Sequence, residues 1–565
     1  MSLTMPATPP TSERRQPLGP RLAHWPVDLA GPAAVLAVLA LAALLRMFNL
    51  LSLPLYTDEA IYLHWARDIW EQRTRTALLI PISDDGKQPL FMWVAGGAMQ
   101  LIGDPLLAGR TVCALAGLTA TIGAYLLGRH FAGHKVGLTA ALLYAVTPFT
   151  LFFDRMAFVD GLVSVEALWV LVLGVLMAAG ERKLDATALF GLTLGIVLAA
   201  ALWTKMTALF LLPIPLLCVL LVQRRGGHTS FAVGIAVAYT VLAASGVALA
   251  LMPNARNLVD KTSYFSLSFP ELLTFPTSLW LANASAYWTW IQTYLPAPLC
   301  WIVLASVPWT VAVRRRRALL LIGCWVACTL PPMLTAKTIF MTRYVLPGVF
   351  PLLLLTAEPM ARGLGWVYAR AAGLLPASKG ISKWGWAASG LVLLGIISPS
   401  LAFDQRLLTD PSSAGLVESD QGCINGWDSG YGFAEAVALV RERATQLNQD
   451  VIVLSDHYHG LPYDGLSLYL RGIPKVHFYV DGHLLSGGTG ILEAWRPHQV
   501  PLLIVGNDGR DNLKDFERNV PEAKRIGIFW KPGGHYSFRV YEIGLASLQG
   551  IGPGNSESKG VGTGR

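Results

Sequence analysis

The chain has 565 residues, of which 53% are hydrophobic and only 14% charged, with a formal net charge of +8. Soluble globular chains carry about 25% charged residues, so this composition excludes an ordinary soluble protein and indicates a polytopic membrane protein. The cysteines (Cys113, Cys218, Cys300, Cys324, Cys328, Cys423) include no CxxC spacing, which argues against a zinc finger or a disulfide framework, and without GxGxxG, Walker or HExxH motifs ATP-driven transport and zinc proteolysis have no sequence support.

Residues 1–28 are polar and Pro-rich, carry Arg14, Arg15 and Arg21, and read as a disordered cytosolic tail rather than a cleavable signal. Apolar runs at 29–48, 107–128, 136–153, 158–179, 187–204, 207–222, 231–252, 299–313, 318–335, 340–357 and 384–403 predict about eleven membrane helices within a 29–403 domain. The apolar run 89–103 is too short to span and reads as a re-entrant or interfacial helix in a large first outer loop, 49–106. With 89–103 not crossing, the N-terminal arginines, Arg129, Arg182-Lys183, Arg224-Arg225, Arg314 to Arg317 and Arg362 to Lys383 share one side, the cytoplasmic side by the positive-inside rule. The opposite, extracytoplasmic face then collects Asp58, Glu59, Asp84, Asp85, Lys87, Asp154, Arg155, Asp160, Lys205, Lys337 and Arg343.

Ionisable groups at helix ends near the membrane are costly unless hydrated or paired, so they mark a candidate site. In chain order, the first signal is Asp58-Glu59, read as a surface general base or as a cap for the helix after it. The turn Asp84-Asp85-Gly86-Lys87-Gln88-Pro89 presents Lys87 to a phosphate or lets it snorkel at the interface. Phe153 to Leu162 holds Asp154, Arg155 and Asp160, where Asp160 opens a helix and Arg155 has either aspartate as a partner. Glu166, deeper in that helix, reads as a partnered structural acid. Lys205 and the Lys337 to Arg343 stretch add cations suited to neutralising a phosphate leaving group. The aromatics of 253–298 read as an interfacial belt, with sugar stacking as the other reading.

Residues 404–545 read as an α/β domain on the same outer side. A helix is expected over 432–447, strands at Val451 to Ser455, Val476 to Val480 and Pro501 to Val505, and a closing hairpin around Pro532-Gly533-Gly534. Asp456-His457-Tyr458-His459 reads as a strand-end loop, and 546–565 as a disordered Gly/Ser-rich tail.

These motifs in this order resemble the GT-C superfamily of membrane glycosyltransferases, nearest its protein O-mannosyltransferase and aminoarabinose transferase branch, over roughly 29–360. The residues that carry the resemblance are Thr57-Asp58-Glu59-Ala60, Gly86-Lys87-Gln88-Pro89-Leu90 (with Gln88 where many relatives have Pro), Arg110, Arg155 to Asp160, and Thr204-Lys205. The resemblance implies a GT-C-like helical fold and an inverting sugar transfer from a polyprenyl-phosphate donor to a lipid, glycan or protein acceptor on the extracytoplasmic face. A bacterial cytoplasmic membrane is the expected location. In that scheme Asp58 is the general base, Asp160 orients the acceptor or supports Arg155, and Lys87, Lys205 and Arg343 bind the donor phosphate. Glu59, Arg110 and Arg155 support them. No cofactor is required, a divalent metal is allowed but not indicated, and no nucleic-acid partner is expected. The rival reading is a permease or flippase for a polyprenyl-linked sugar.

Overall fold

The computed structural model describes residues 31–180, 184–222, 228–373 and 383–549. The N-terminal tail, Arg182, Lys183, Arg224, Arg225 and residues 550–565 lie outside the described residues. The helical unit runs α1 (Gly31–Met47), α2 (Thr57–Gln72), α3 (Ile80–Asp85), α4 (Leu90–Met99), α5 (Pro105–Ala132), α6 (His134–Val146), α7 (Pro148–Asp154), α8 (Val159–Ala179), α9 (Leu184–Thr204), α10 (Pro213–Leu221), α11 (His228–Ala250), α12 (Arg256–Phe265), α13 (Phe269–Leu273), α14 (Thr277–Tyr294), α15 (Leu299–Val313), α16 (Arg315–Thr335), α17 (Val349–Gly373) and α18 (Lys383–Thr409).

Among the described residues, six helices (α5, α8, α9, α11, α16, α18) are long and apolar enough to cross a membrane. The number rises to eight if the bent pairs α6–α7 (61°) and α14–α15 (113°) each count as one span. Proline accounts for much of the difference from the run lengths in the sequence, because it lacks the N–H a helix interior needs. The expected span 136–153 breaks at Thr147-Pro148, and 207–222 becomes a 3-10 turn followed by the nine-residue α10, which starts at Pro213. The expected span 340–357 is not one helix: 3-10 turns at Thr342–Tyr344 and Leu346–Gly348 precede α17, so Arg343 sits on a turn. Helix α4 has ten residues, about 15 Å of rise, half of the ~30 Å hydrocarbon core, as the short run 89–103 suggested.

Charge is sorted along the bundle. Near the start of α5, Arg110 binds Glu59; at its far end the Phe131 carbonyl accepts from Arg317, which together with Arg314 and Arg362 also pairs with Glu358. The 28 residues of α5 separate those ends by about 42 Å. The basic cluster of Arg314, Arg317 and Arg362 and the acidic first-loop motif thus occupy opposite ends of the bundle.

The C-terminal unit contains α19 (Glu418–Asn425), α20 (Phe433–Leu447), β1 (Val451–Ser455), α21 (Tyr463–Leu470), β2 (Val476–Val480), α22 (Ile491–Trp495), β3 (Leu502–Asn507), α23 (Leu513–Asn519), β4 (Lys524–Trp530), β5 (Ser537–Ile543) and α24 (Leu545–Gln549). Its sheet order is β2-β1-β3-β5-β4. Strand β1 is parallel to both β2 and β3, whereas β5 is antiparallel to β3 and β4. The apolar runs β1 and β3 are buried throughout, as central parallel strands covered on both faces must be. The β4–β5 turn uses Gly533 and Gly534 at φ +87° and +69°, a backbone that favours glycine. Since the chain leaves β1 toward β2 on one side and later returns as β3 on the other, the strand order reverses at the carboxyl ends of β1 and β3.

Candidate active site

The segment between α1 and α5 folds back on itself before it can carry a site. Arg110 reaches from α5 to the carbonyls of Leu50, Leu53 and Pro54, and grips both oxygens of Glu59 at 2.8 and 2.6 Å. Glu59 also accepts from the backbone N–H of Tyr56 and of Ala157, so this fully buried carboxylate fixes the start of α2 to the turn before α8. A charge buried this deeply persists only when its hydrogen-bonding capacity is filled, and here it is. Glu59 and Arg110 therefore set the frame, and α2 presents the neighbouring Asp58 to the outside of that frame.

Asp58 forms an ion pair with Arg343 (Oδ2 to Nη2, 2.7 Å). Arg343 Nε lies 3.9 Å from Asp160, and Asp160 pairs with Lys205. Lys87 completes the group, 3.4 Å from the Tyr62 hydroxyl, over the Tyr62 ring at 4.7 Å and 3.3 Å from Asp85. Five charged residues from five separate stretches of chain thus meet, and four of their side chains, all but Asp160, remain 12–22% exposed. Burial pushes the Asp58 carboxyl up, but Arg343, Lys87 and Lys205 outweigh it and hold it below the ordinary aspartate value. Burial likewise pulls the Lys87 ammonium down, yet Tyr62, Asp58 and Asp85 keep it well above its usual value. Both shifts favour the charged forms of Asp58 and Lys87.

Two expectations need correction. Arg155 pairs with neither aspartate; it donates to the carbonyls of Leu45, Arg46, Phe48 and Asn49, closing the C-terminus of α1, where orphan carbonyls need donors. Asp154 binds Arg46 instead, at 2.8 Å, and Asp160 faces Lys205 and Arg343 rather than Arg155. Lys337 does not join the cluster; it lies 3.4 Å from Glu271. Glu166 accepts from Thr204 at 3.0 Å, which agrees with a partnered structural acid.

Sequence reasoning missed the share taken by the C-terminal unit. The Asp428 carbonyl accepts from the N–H and hydroxyl of Thr57, beside Asp58, and its carboxylate accepts from Tyr56 at 2.6 Å. On the opposite wall, Asp420 accepts from Thr342, next to Arg343, and from Tyr294. Helix α21 packs on α2, with His64 Nδ1 2.6 Å from Asp464 and its Nε2 2.7 Å from Ser467. These partners are about 400 residues apart in sequence, and no local pattern announces them. The rings of Tyr62 and Tyr344, the latter 4.5 Å from Lys205, were also not anticipated; their spacing on α2 and beside Arg343 was the available signal. Among the described residues no group of three or more His, Cys, Asp or Glu is placed to hold a metal ion.

A mostly helical unit with an acidic motif at one end and a small α/β unit seated on it is a fold shared with several solved structures. Residues 86–252 match the family model for dolichyl-phosphate-mannose-protein mannosyltransferase, a stretch that contains Lys87, Asp160 and Lys205 but neither Asp58 nor Arg343. ArnT from Cupriavidus metallidurans, in a structure bound to undecaprenyl phosphate, superposes with a TM-score of 0.55 at 16% identity, covering 92% of this chain and 99% of that one. The archaeal oligosaccharyltransferase AglB from Archaeoglobus fulgidus, in complex with an inhibitory peptide and a dolichol-phosphate, gives 0.52 at 11% identity, covering 90% of this chain and 74% of that one. No curated protein sequence matches the chain.

Proposed function

We propose that the chain is a membrane glycosyltransferase that moves a sugar from a polyprenyl-phosphate donor to an acceptor hydroxyl on the extracytoplasmic face, with inversion at the anomeric carbon. The observation that carries this reading is the convergence of Asp58, Asp160, Lys87, Lys205 and Arg343 in one partly open cluster. The likeness to structures holding undecaprenyl phosphate or a dolichol-phosphate supports a lipid-linked donor.

In this reading Asp58 accepts the proton of the acceptor hydroxyl as that oxygen attacks the anomeric carbon. The bond from the anomeric carbon to the phosphate oxygen breaks, and its electron pair leaves with the phosphate. Lys87, Lys205 and Arg343 stabilise the charge that develops there. The Asp58–Arg343 pair gives the sequence of events a physical logic. Arg343 restrains Asp58 while no donor is present, and a donor phosphate competing for the guanidinium releases the carboxylate to act as base. Asp160 holds Lys205 and steadies Arg343.

The test is transfer by the purified protein in lipid, given radiolabelled polyprenyl-phosphate mannose, glucose or arabinose and a mixed membrane extract as acceptor. Label reaching an extractable or protein acceptor supports the reading and identifies the sugar. Label crossing the bilayer without transfer contradicts it and supports a flippase.

A further inference from the structure

The Asp58–Arg343 pair joins two stretches of chain, and one piece of the C-terminal unit holds both of them. On the Asp58 side, each of the three residues before it touches the loop 428–430. A Cβ on Gly430 would lie 1.8 Å from the Leu55 carbonyl oxygen, a closeness that glycine alone allows. Tyr56 donates its hydroxyl to the Asp428 carboxylate at 2.6 Å. Thr57 gives its N–H and its hydroxyl to the Asp428 carbonyl at 3.1 and 2.9 Å. Thr57 opens α2, and the first N–H groups of a helix lack partners within it, so the C-terminal unit supplies one.

On the other side, Arg343 sits in the short 3-10 turn Thr342–Tyr344, which is too brief to fix its own place. The buried Thr342 hydroxyl donates to Asp420 at 2.6 Å, and Tyr294 at the end of α14 donates to the other oxygen of that carboxylate. Asp420 on α19 and Asp428 in the loop after it belong to one stiff stretch. Ser429, fully buried, donates its hydroxyl to the carbonyls of Cys423 and Ile424 at 3.1 and 2.8 Å, folding the loop onto the end of α19. A Cβ on Gly426 would lie 2.2 Å from Asp428 Oδ1, so that carboxylate packs directly on the helix end. The buried Phe158 ring touches both sides, edge-on to Tyr56 at 5.7 Å and 5.1 Å from the Arg343 guanidinium.

We propose that the stretch 420–430 is a span that sets the separation of Asp58 and Arg343, and that Tyr56, Thr342, Asp420 and Asp428 are positioning residues for the transfer. The C-terminal unit is then part of the working site rather than a module appended to it. Loosening the Asp58 end moves the base away from the acceptor hydroxyl and lowers kcat. Loosening the Arg343 end moves the phosphate contact and raises donor KM. The effect at Asp58 rests on the transferase reading; the placing of Arg343 for a phosphate does not.

The test uses the full chain in lipid nanodiscs with two readouts: affinity for undecaprenyl phosphate alone, and transfer from the active labelled donor as kcat and donor KM. A misplacement of ~1 Å costs up to ~10²-fold in rate, so Tyr56→Phe lowers kcat about ten-fold while phosphate affinity and donor KM stay within about two-fold of wild type. Thr342→Val does the converse, weakening phosphate binding and raising donor KM about ten-fold with a smaller change in kcat. Thr342→Ser, which keeps the hydroxyl, restores most of the phosphate affinity, and Asp428→Asn, which keeps an acceptor for Tyr56, retains most of kcat. A merely structural role lowers the melting temperature and the active fraction at both ends and moves neither KM nor phosphate affinity; that result overturns the span, as does a Ser variant as weak as Val. Transfer by wild type with every variant unaltered removes the span and leaves the transferase. Weaker phosphate binding in Thr342→Val, with no transfer by wild type from any donor, removes the transferase and leaves the span. Unaltered phosphate binding with no transfer removes both.

Discussion

Asp58 and Glu59 are neighbours on one helix, yet they belong to different kinds of charge cluster. Glu59 is fully buried, clamped by Arg110 and two backbone N–H groups. Asp58 is partly open and shares Arg343 with Asp160. The first arrangement leaves nothing to exchange for a substrate. In the second, the cations that restrain the carboxylate are also suited to a phosphate. The contrast separates a frame from a site within two residues.

The largest expected effect comes from breaking the site side of the contrast. Asp58→Asn lowers transfer by about 10³-fold, within the ~10²–10⁴ range of general base catalysis, measured as turnover of a radiolabelled donor, and lowers the melting temperature less than loss of the buried Glu59–Arg110 pair does. The frame side breaks differently. Arg110→Leu leaves Glu59 buried and unpaired, costing about 3–5 kcal/mol of stability, read as a lower melting temperature and poor yield of monodisperse protein, while the molecules that fold retain kcat. Arg343→Ala and Lys87→Ala sharpen the phosphate assignment: each removes a charge-assisted contact of about 1.5–3 kcal/mol, so donor KM rises about ten- to a hundred-fold.

Two pH predictions probe smaller effects. Because Asp58 is held below its ordinary value, unfolded chains bind more protons than folded ones as the pH falls through that range. Its stabilising contribution is therefore complete above about pH 4 and lost as pH drops through the folded value, and the acidic limb of kcat/KM lies below the ordinary aspartate pKa of ~3.9. Lys531 acts in the same sense, over a higher pH range. Burial pushes its ammonium down to about 7, against the pull of Asp428 and Asp508. Between pH 7 and about 10 the unfolded chain holds the proton and the folded chain does not, so stability of the C-terminal unit rises with pH. Lys531→Met flattens that rise in thermal melts across the same range.

Much of this fold was legible from local pattern. The β1, β2 and β3 runs, the helix at 433–447 and the Gly533-Gly534 hairpin all stand where alternation, helical spacing and turn residues put them. Short spans were less legible, because prolines at 148, 213 and 347 break apolar runs that composition alone joins. Of the candidate residues, Asp58, Asp160, Lys87, Lys205 and Arg343 meet, since each lies at a helix end or turn that topology gathers at one end of the bundle. Arg155 was misread because its partners are backbone carbonyls, which leave no trace in sequence. The roles of Asp420 and Asp428 were hidden for a related reason: their partners lie 78 to 372 residues away.

The most direct measurement sets Asp58→Asn beside Glu59→Gln in lipid, recording donor-dependent transfer and thermal melting for both. The account predicts that the Asp58 variant melts closer to wild type than the Glu59 variant does and transfers no sugar above background, whereas the Glu59 variant melts at a markedly lower temperature and keeps activity in its folded fraction. An Asp58→Asn protein that transfers sugar at the wild-type rate would contradict it.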